Sequence, residues 1–273
     1  MTDAFLHTAQ TAARKAAIIL MDNFGKVRKN DIRKKSKTDF LSFVDEQSEK
    51  SIIETIHAEF PGHSILAEES GNSHLEDDYL WIIDPLDGTT NYLSSIPIFA
   101  ISIAVKHKNE IITGVVYDPV RDEMFYAEKN KGAFMNGKPV KVSDVGDLNE
   151  SLFATGFPFK EKHILQDYLK AFEEVFFNSI GARRMGAAAI DMCYVAAGKF
   201  DAFWEIGLNP WDIAAGEIIL KEAGGRITDF WNQPNHLSCS YVIATNGKIH
   251  DQLGEIIRKF FPFYKSLSEG RLK

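Results

Sequence analysis

Cysteine is scarce in this 273-residue chain: Cys193 and Cys239 stand alone, in no CxxC or other paired spacing. A disulfide scaffold is excluded, and both thiols read as small hydrophobes in a reducing compartment. Long apolar runs are missing too. The clearest, 98–105, is far below the ~20 residues that a spanning helix needs. The first 24 residues hold no basic segment followed by an unbroken apolar stretch, so a signal peptide is not expected and a cytoplasmic location is. Positive charge is in deficit, with 31 Lys+Arg against 38 Asp+Glu and a net charge of −7, which argues against nucleic acid as a partner. The eight histidines form no HxH or HExxH pair, and no G-x-S-x-G elbow occurs, so zinc and serine hydrolases lack their signatures. Gly132 to Lys138 has the spacing GxxxxGK, but Pro139 stands where a nucleotide loop needs Ser or Thr, and the segment reads as a hairpin turn. No internal repeat or low-complexity tract is visible.

What is present is ordinary for a globular protein: 45% hydrophobic and 25% charged residues, enough chain for one large or two moderate domains. Phe5, Ala9, Ala12, Ala16, Ile19 and Leu20 recur at helical spacing over 3–24, and Ile52, Ile53 and Ile56 do so over 45–60. Between these helices the basic stretch 28–37 reads as a solvated loop or hairpin, or as a flap over an anion. Ser64–Glu69 and Tyr79–Asp84 are strand-like, and 98–142 forms an antiparallel meander. After residue 146 the texture becomes α/β: strands near 152–156, 201–206 and 240–244, and helices over 161–177, 186–198, 213–223 and 248–261. A boundary at 146 divides an α+β N-terminal subdomain, 1–146, from an α/β C-terminal one, 147–273. Phe172, Val175 and Phe176 read as a core stripe. Trp204 is read either as site lining or as a buried strand residue.

Chemistry concentrates in Trp81-Ile-Ile-Asp84-Pro85-Leu86-Asp87-Gly88-Thr89-Thr90-Asn91. A hydrophobic strand delivers Asp84, Pro85 fixes the next φ, and Asp87 follows three residues on, so two carboxylates can face one point. Gly88 permits a close turn, and 89–91 read as the first turn of a helix, where N–H groups favour an anion. Hard oxygen ligands for a divalent cation thus lie beside a phosphate cradle. Taken singly, this spacing is an Asp-rich turn, Glu68 and Glu69 are surface acids, and Asp212 is an N-cap.

Together, Ala67-Glu68-Glu69, the segment 81–91 and WDIAAGEIILKEAGG at 211–225 resemble the inositol monophosphatase family of lithium-sensitive, metal-dependent sugar phosphatases. TGFPF at 155–159 and the stretch 183–212 are most similar to its bacterial branch. The resemblance implies a layered α-β-α-β-α sandwich. It also implies two to three Mg²⁺ ions: the first on Glu68, Asp84 and the Leu86 carbonyl, the second on Asp84, Asp87 and Asp212, a third reached by Glu68 through waters. Asp45, in KTDFLSFVDEQSE, matches the acid that pairs with a catalytic threonine, here Thr89. Gly88 and Thr89 match the phosphate cradle, and Asp87, Ala188, Glu205 and Asp212 match contacts to the sugar-like ring. Ala187 stands where relatives often carry a hydroxyl, and Lys34 and Lys35 both fit a lysine over the third metal. A homodimer is implied, and Arg183-Arg184 reads as a contact to substrate phosphate, a pair with acids at the dimer interface or a solvated pair, the interface being preferred because this family commonly forms dimers. The expected reaction is hydrolysis of inositol 1-phosphate or a related polyol phosphate by metal-activated water, with Thr89, Asp45, Glu68 and Asp84 catalytic. Such monoesters are among the slowest substrates to hydrolyse unaided, with accelerations up to ~10²¹, so cations that neutralise a dianion are apt. Fructose 1,6-bisphosphate, 3′-phosphoadenosine 5′-phosphate and histidinol phosphate are the alternative substrates, and a partner-binding protein is the alternative of another class.

Overall fold

Small side chains set the first layer. α1 (Thr2–Asn23) turns Phe5, Ala9, Ala12, Ala13, Ala16 and Leu20 inward, all buried, and its alanines let it lie closely along α2 (Phe43–Glu59). Ser42 opens α2 with a capping box: its side chain accepts from the Val44 N–H at 3.2 Å while Asp45 accepts from the Ser42 N–H at 2.9 Å. This computed structural model describes residues 2–27, 32–34, 40–73, 78–159 and 161–262. The basic stretch contributes a short hairpin, β1 (Ile32–Lys34) antiparallel to β2 (Phe40–Ser42). Lys35 and the side chain of Lys34 lie outside the described residues.

Among the described residues the main sheet has eight strands: β3 (Ser64–Ala67), β4 (Gly71–Ser73), β5 (Tyr79–Asp87), β6 (Ala100–His107), β7 (Glu110–Asp118), β8 (Glu123–Glu128), β9 (Ala133–Met135) and β10 (Lys138–Val140). Their order is β10-β9-β8-β7-β6-β5-β3-β4. From β5 to β10 it is the expected antiparallel meander, and the GxxxxGK segment is the β9–β10 hairpin, turning at Asn136 and Gly137 with φ of 49° and 79°. Among the described residues, only β3 and β5 run parallel in this sheet. The second sheet orders β12 (Gly181–Arg183), β11 (Leu152–Thr155), β13 (Ala202–Ile206), β15 (Tyr241–Thr245) and β14 (Arg226–Thr228), with β11 parallel to both its neighbours.

Three apolar clusters fix the layering. One lies between α1 and α2 and the main sheet. A second, around α5 (Ala188–Ala196) and α6 (Pro210–Glu222), fills the space between the sheets. The third lies under α4 (Leu165–Phe177) and α8 (His250–Phe260) on the outer face of the second sheet. The order is therefore α-β-α-β-α. Gly114 marks the tightest approach: a Cβ there would meet Ile218 Cγ2 at 2.6 Å and the Ala215 carbonyl at 2.8 Å, so α6 presses directly on β7. Cys193 is buried and Cys239 half-buried, both free thiols. Among the described residues no helix is long and apolar enough to cross a membrane.

Several elements differ from the sequence reading. β5 does not stop at Asp84 but continues through Asp87. α6 begins at Pro210, with Asn209 as its N-cap and Asp212 at the third helical position, because proline suits the first turn. β14 and the short α7 (His236–Cys239) carried too few apolar residues to be seen. Of the expected stripe on α4, Val175 is buried and Phe172 packs against the core, joined there by Tyr168 and Ala171, but Phe176 is 49% exposed. Trp204 is wholly buried and lines no cleft.

Candidate active site

The site begins with a fault in a strand. β5 is central and buried on both faces, which is why Trp81, Ile82 and Ile83 are all apolar. Asp84 pairs with Ser102 and Asp87 with Ala100, so three steps along β5 oppose two along β6. Pro85 cannot donate to the ladder, and the extra residue becomes a bulge that redirects both carboxylates. The fault is tied down locally. Asp84 Oδ1 accepts the Leu86 N–H at 2.9 Å, and the Pro85 carbonyl accepts Ser48 Oγ from α2 at 2.9 Å. Gly88 then turns with φ of 91°, where a Cβ would lie 3.0 Å from the Ile98 carbonyl, and α3 (Thr89–Leu93) follows.

Neighbouring elements supply the other acids. β3 runs parallel to β5 and ends at Ala67, so Glu68 emerges beside Asp84, its N–H bonded to the Ile83 carbonyl at 3.2 Å. Asp212 is held in the first turn of α6 by the Asn209 N–H at 2.7 Å. Asp87 Oδ2 accepts the Ala189 N–H of α5 at 2.8 Å. Ala188 itself is buried at that helix start. Glu205 is half-buried on β13, close enough to raise the carboxyls of Asp87 and Asp191. Thr89 Oγ1 lies 3.4 Å from Asp45 Oδ1 and 3.0 Å from the Leu86 carbonyl, so its single proton has two competing acceptors.

Burial pushes the Asp84 carboxyl well above the usual carboxylate range, and Glu68, Asp87 and Asp212 push it further. Asp87 is raised in the same direction, by burial first and then by Asp212. The strongest charged neighbours of each are other carboxylates, an arrangement that divalent cations reverse.

Comparison with known proteins gives the family and the fold. The sequence profile of the inositol monophosphatase family matches residues 1–260. The chain belongs to that family. It is 42% identical over 245 residues to the protein named Nus factor SuhB of Escherichia coli K12, covering 89% of this chain and 92% of that one. It is 41% identical over 256 residues to a fructose-1,6-bisphosphatase/inositol-1-monophosphatase of Aquifex aeolicus, covering 94% and 96%. The solved inositol monophosphatase from Anabaena shares its fold with a TM-score of 0.85 and 38% identity, over 94% of this chain and 96% of that one.

The inositol monophosphatase family is generally metal-dependent, and the donors here fit hard cations: carboxylates and a backbone carbonyl, the set Mg²⁺ prefers. Among the described residues no group of three or more His, Cys, Asp or Glu side chains is drawn together tightly enough to hold a metal as placed, so the fit rests on donor chemistry and charge. The roles of two residues escaped the sequence reading. Glu49, buried on α2, accepts the Glu69 and Ser70 N–H groups at 2.9 and 3.0 Å and so shapes the turn that carries Glu68. Its signal was available: Asp45, Glu49, Ile52 and Ile56 share one helix face, and acids on a core stripe call for a reason. Asn91 donates to the carbonyls of Ile98 and Met185, each at 2.9 Å, and binds α3 to the segment preceding α5. Nothing in its local sequence signals a partner 94 residues away.

Proposed function

We propose that this protein is a Mg²⁺-dependent phosphomonoesterase that hydrolyses inositol 1-phosphate, and related polyol or sugar monophosphates, to the free alcohol and phosphate. One observation carries the reading: the β5 bulge buries Asp84 and Asp87 together in the field of Glu68 and Asp212. A fold gains nothing from that concentration of like charge unless cations fill it. Glu68, Asp84, Asp87, Asp212 and the Leu86 carbonyl would hold two Mg²⁺ ions, with a third at Glu68. Bound there, the ions supply charge neutralisation of the phosphate, acidification of water and stabilisation of the leaving alkoxide.

The chain's own groups do the rest. With the Thr89 proton turned onto Asp45, its hydroxyl oxygen is open to accept from the attacking water and hold it in line. The N–H groups of Gly88 and Thr89 receive phosphate oxygens. Glu205, Asp87 and Asp212 accept from hydroxyls of the alcohol portion, and Ala188 lies beside it. The N-terminal metal-binding and C-terminal subdomains meet at this site. A second copy of the chain would cover Phe176, Phe177 and Ile180, exposed beside the edge strand β12 that ends at Arg183. We read the protein as a homodimer on that ground, and as cytoplasmic on its scarce, unpaired cysteines.

Mg²⁺-dependent phosphate release tests the reading, across inositol 1-phosphate, glycerol 2-phosphate, fructose 1,6-bisphosphate, 3′-phosphoadenosine 5′-phosphate and histidinol phosphate, with and without lithium. Preference for inositol 1-phosphate with lithium inhibition supports it, and preference for another ester changes the substrate and keeps the chemistry. A second reading is favoured by the relatives named Nus factor: the exposed Arg183 and Arg184 would then contact a partner protein. Silence across the panel with Mg²⁺ bound would select it.

A further inference from the structure

The structure assigns Gly156 as the positioning residue for Glu205, and through it as a determinant of which alcohol the site accepts. This rests on the reading of Glu205 as a contact to the alcohol portion. β11 ends at Thr155, which is in register with Trp204 of the parallel strand β13, and Thr155 Oγ1 donates to the Trp204 carbonyl at 2.6 Å. One step further, Gly156 and Glu205 stand side by side. Residues in register on parallel strands direct their Cβ atoms to the same face, so a side chain at 156 and the side chain of Glu205 compete for one space. The competition is direct: a Cβ on Gly156 would overlap Cδ and both carboxylate oxygens of Glu205, far inside the 3.0 Å that real Cβ atoms respect. The Glu205 carboxylate therefore lies across the bare Cα of Gly156.

Two features make this a matter of placement rather than of general packing. Gly156 is buried, so its neighbour cannot be pushed into solvent without leaving the slot. The atoms in conflict are the far end of a flexible side chain, not backbone, so an added methyl moves the carboxylate and spares the sheet. The bare Cα thus leaves open the space in which the Glu205 carboxylate rests, and any side chain at 156 would take it.

The test is a double-mutant cycle read as selectivity: kcat/KM for inositol 1-phosphate divided by kcat/KM for phenyl phosphate, an ester without polyol hydroxyls. Gly156→Ala is expected to lower this ratio about tenfold, the scale of one hydrogen bond to a charged group. In a Glu205→Ala background the same substitution is expected to change it less than about twofold, since no carboxylate remains to displace. An equal fall in both backgrounds would overturn the inference and leave Gly156 a structural residue only. A crystal structure of Gly156→Ala reads the displacement without any assay: a moved carboxylate supports the inference and an unmoved one overturns it. If Glu205→Ala leaves the ratio unaltered, the substrate reading of Glu205 falls, while the crystal structure still decides the slot. Should Gly156→Ala fail to fold, recovery of folding in the double variant supports the clash, and failure of both overturns it.

Discussion

Asp84 and Glu217 are both buried acids, and their surroundings are opposite. Asp84 faces three other carboxylates, and burial and neighbours push its carboxyl in the same upward direction. Glu217 lies on α6, five residues beyond Asp212. Burial pushes it up as well, yet His236 at 3.0 Å and Lys221 at 2.5 Å bring it below its ordinary value. One helix thus carries an acid turned to the site and an acid that closes a structural pair. Asp201 is like Glu217: its two oxygens accept from Ser143 and from the Leu152 N–H, which joins β13 to β11. Burial alone does not separate the two kinds of acid. The charges and donors around each one do.

The contrast can be broken at either end. Asp84→Asn should lower Mg²⁺-dependent turnover by about three orders of magnitude or more. It should also raise the melting temperature, by about 2–4 °C for each kcal/mol of repulsion relieved, as calorimetry would show. Loss of both activity and stability would place Asp84 with the structural acids. Glu217→Gln should do the reverse, costing about 2–3 kcal/mol in urea unfolding because the contacts to His236 and Lys221 lose their charged acceptor, with turnover per folded molecule retained.

His250 sharpens the comparison through pH. It is buried between Thr228 and Thr245, each 2.9 Å from a ring nitrogen, and burial first and then Arg226 lower it to about 4 from 6.5. The unfolded chain takes up this proton below pH 6.5 while the folded chain holds the ring neutral down to about 4. Stability present above 6.5 is therefore lost as pH falls through that window, by about 2 kcal/mol at pH 5. His250→Gln should flatten that slope in urea midpoints taken across pH. The smallest effect belongs to Lys50 and Glu54, which are 3.9 Å apart with both side chains mostly exposed. Lys50→Ala should move the urea midpoint by less than about 0.5 kcal/mol.

Much of the site is local in the chain and was therefore legible. Asp84 and Asp87 are three residues apart on one apolar strand, and Glu68 follows another, so their types and spacing already point to cation chemistry. The helices over 2–23 and 43–59 are written in their apolar periodicity, as is the meander from 100 to 140. The bulge was not legible, because a register shift belongs to two strands and only one of them carries Pro85. Nor was the hydrogen bond from Ala189 to Asp87, which spans 102 residues. β14 has three residues and leans on β15 for its pairing, so its sequence alone carries little strand signal.

By itself the sequence determined which residues could do chemistry, since ligand type, turn residues and hydrophobic period are properties of short segments. Tertiary structure decided which of the acids stand among like charges and which are paired, because that depends on what the folded layers bring alongside. It also decided where the Glu205 carboxylate rests, because the space over Gly156 exists only when β11 and β13 lie in register.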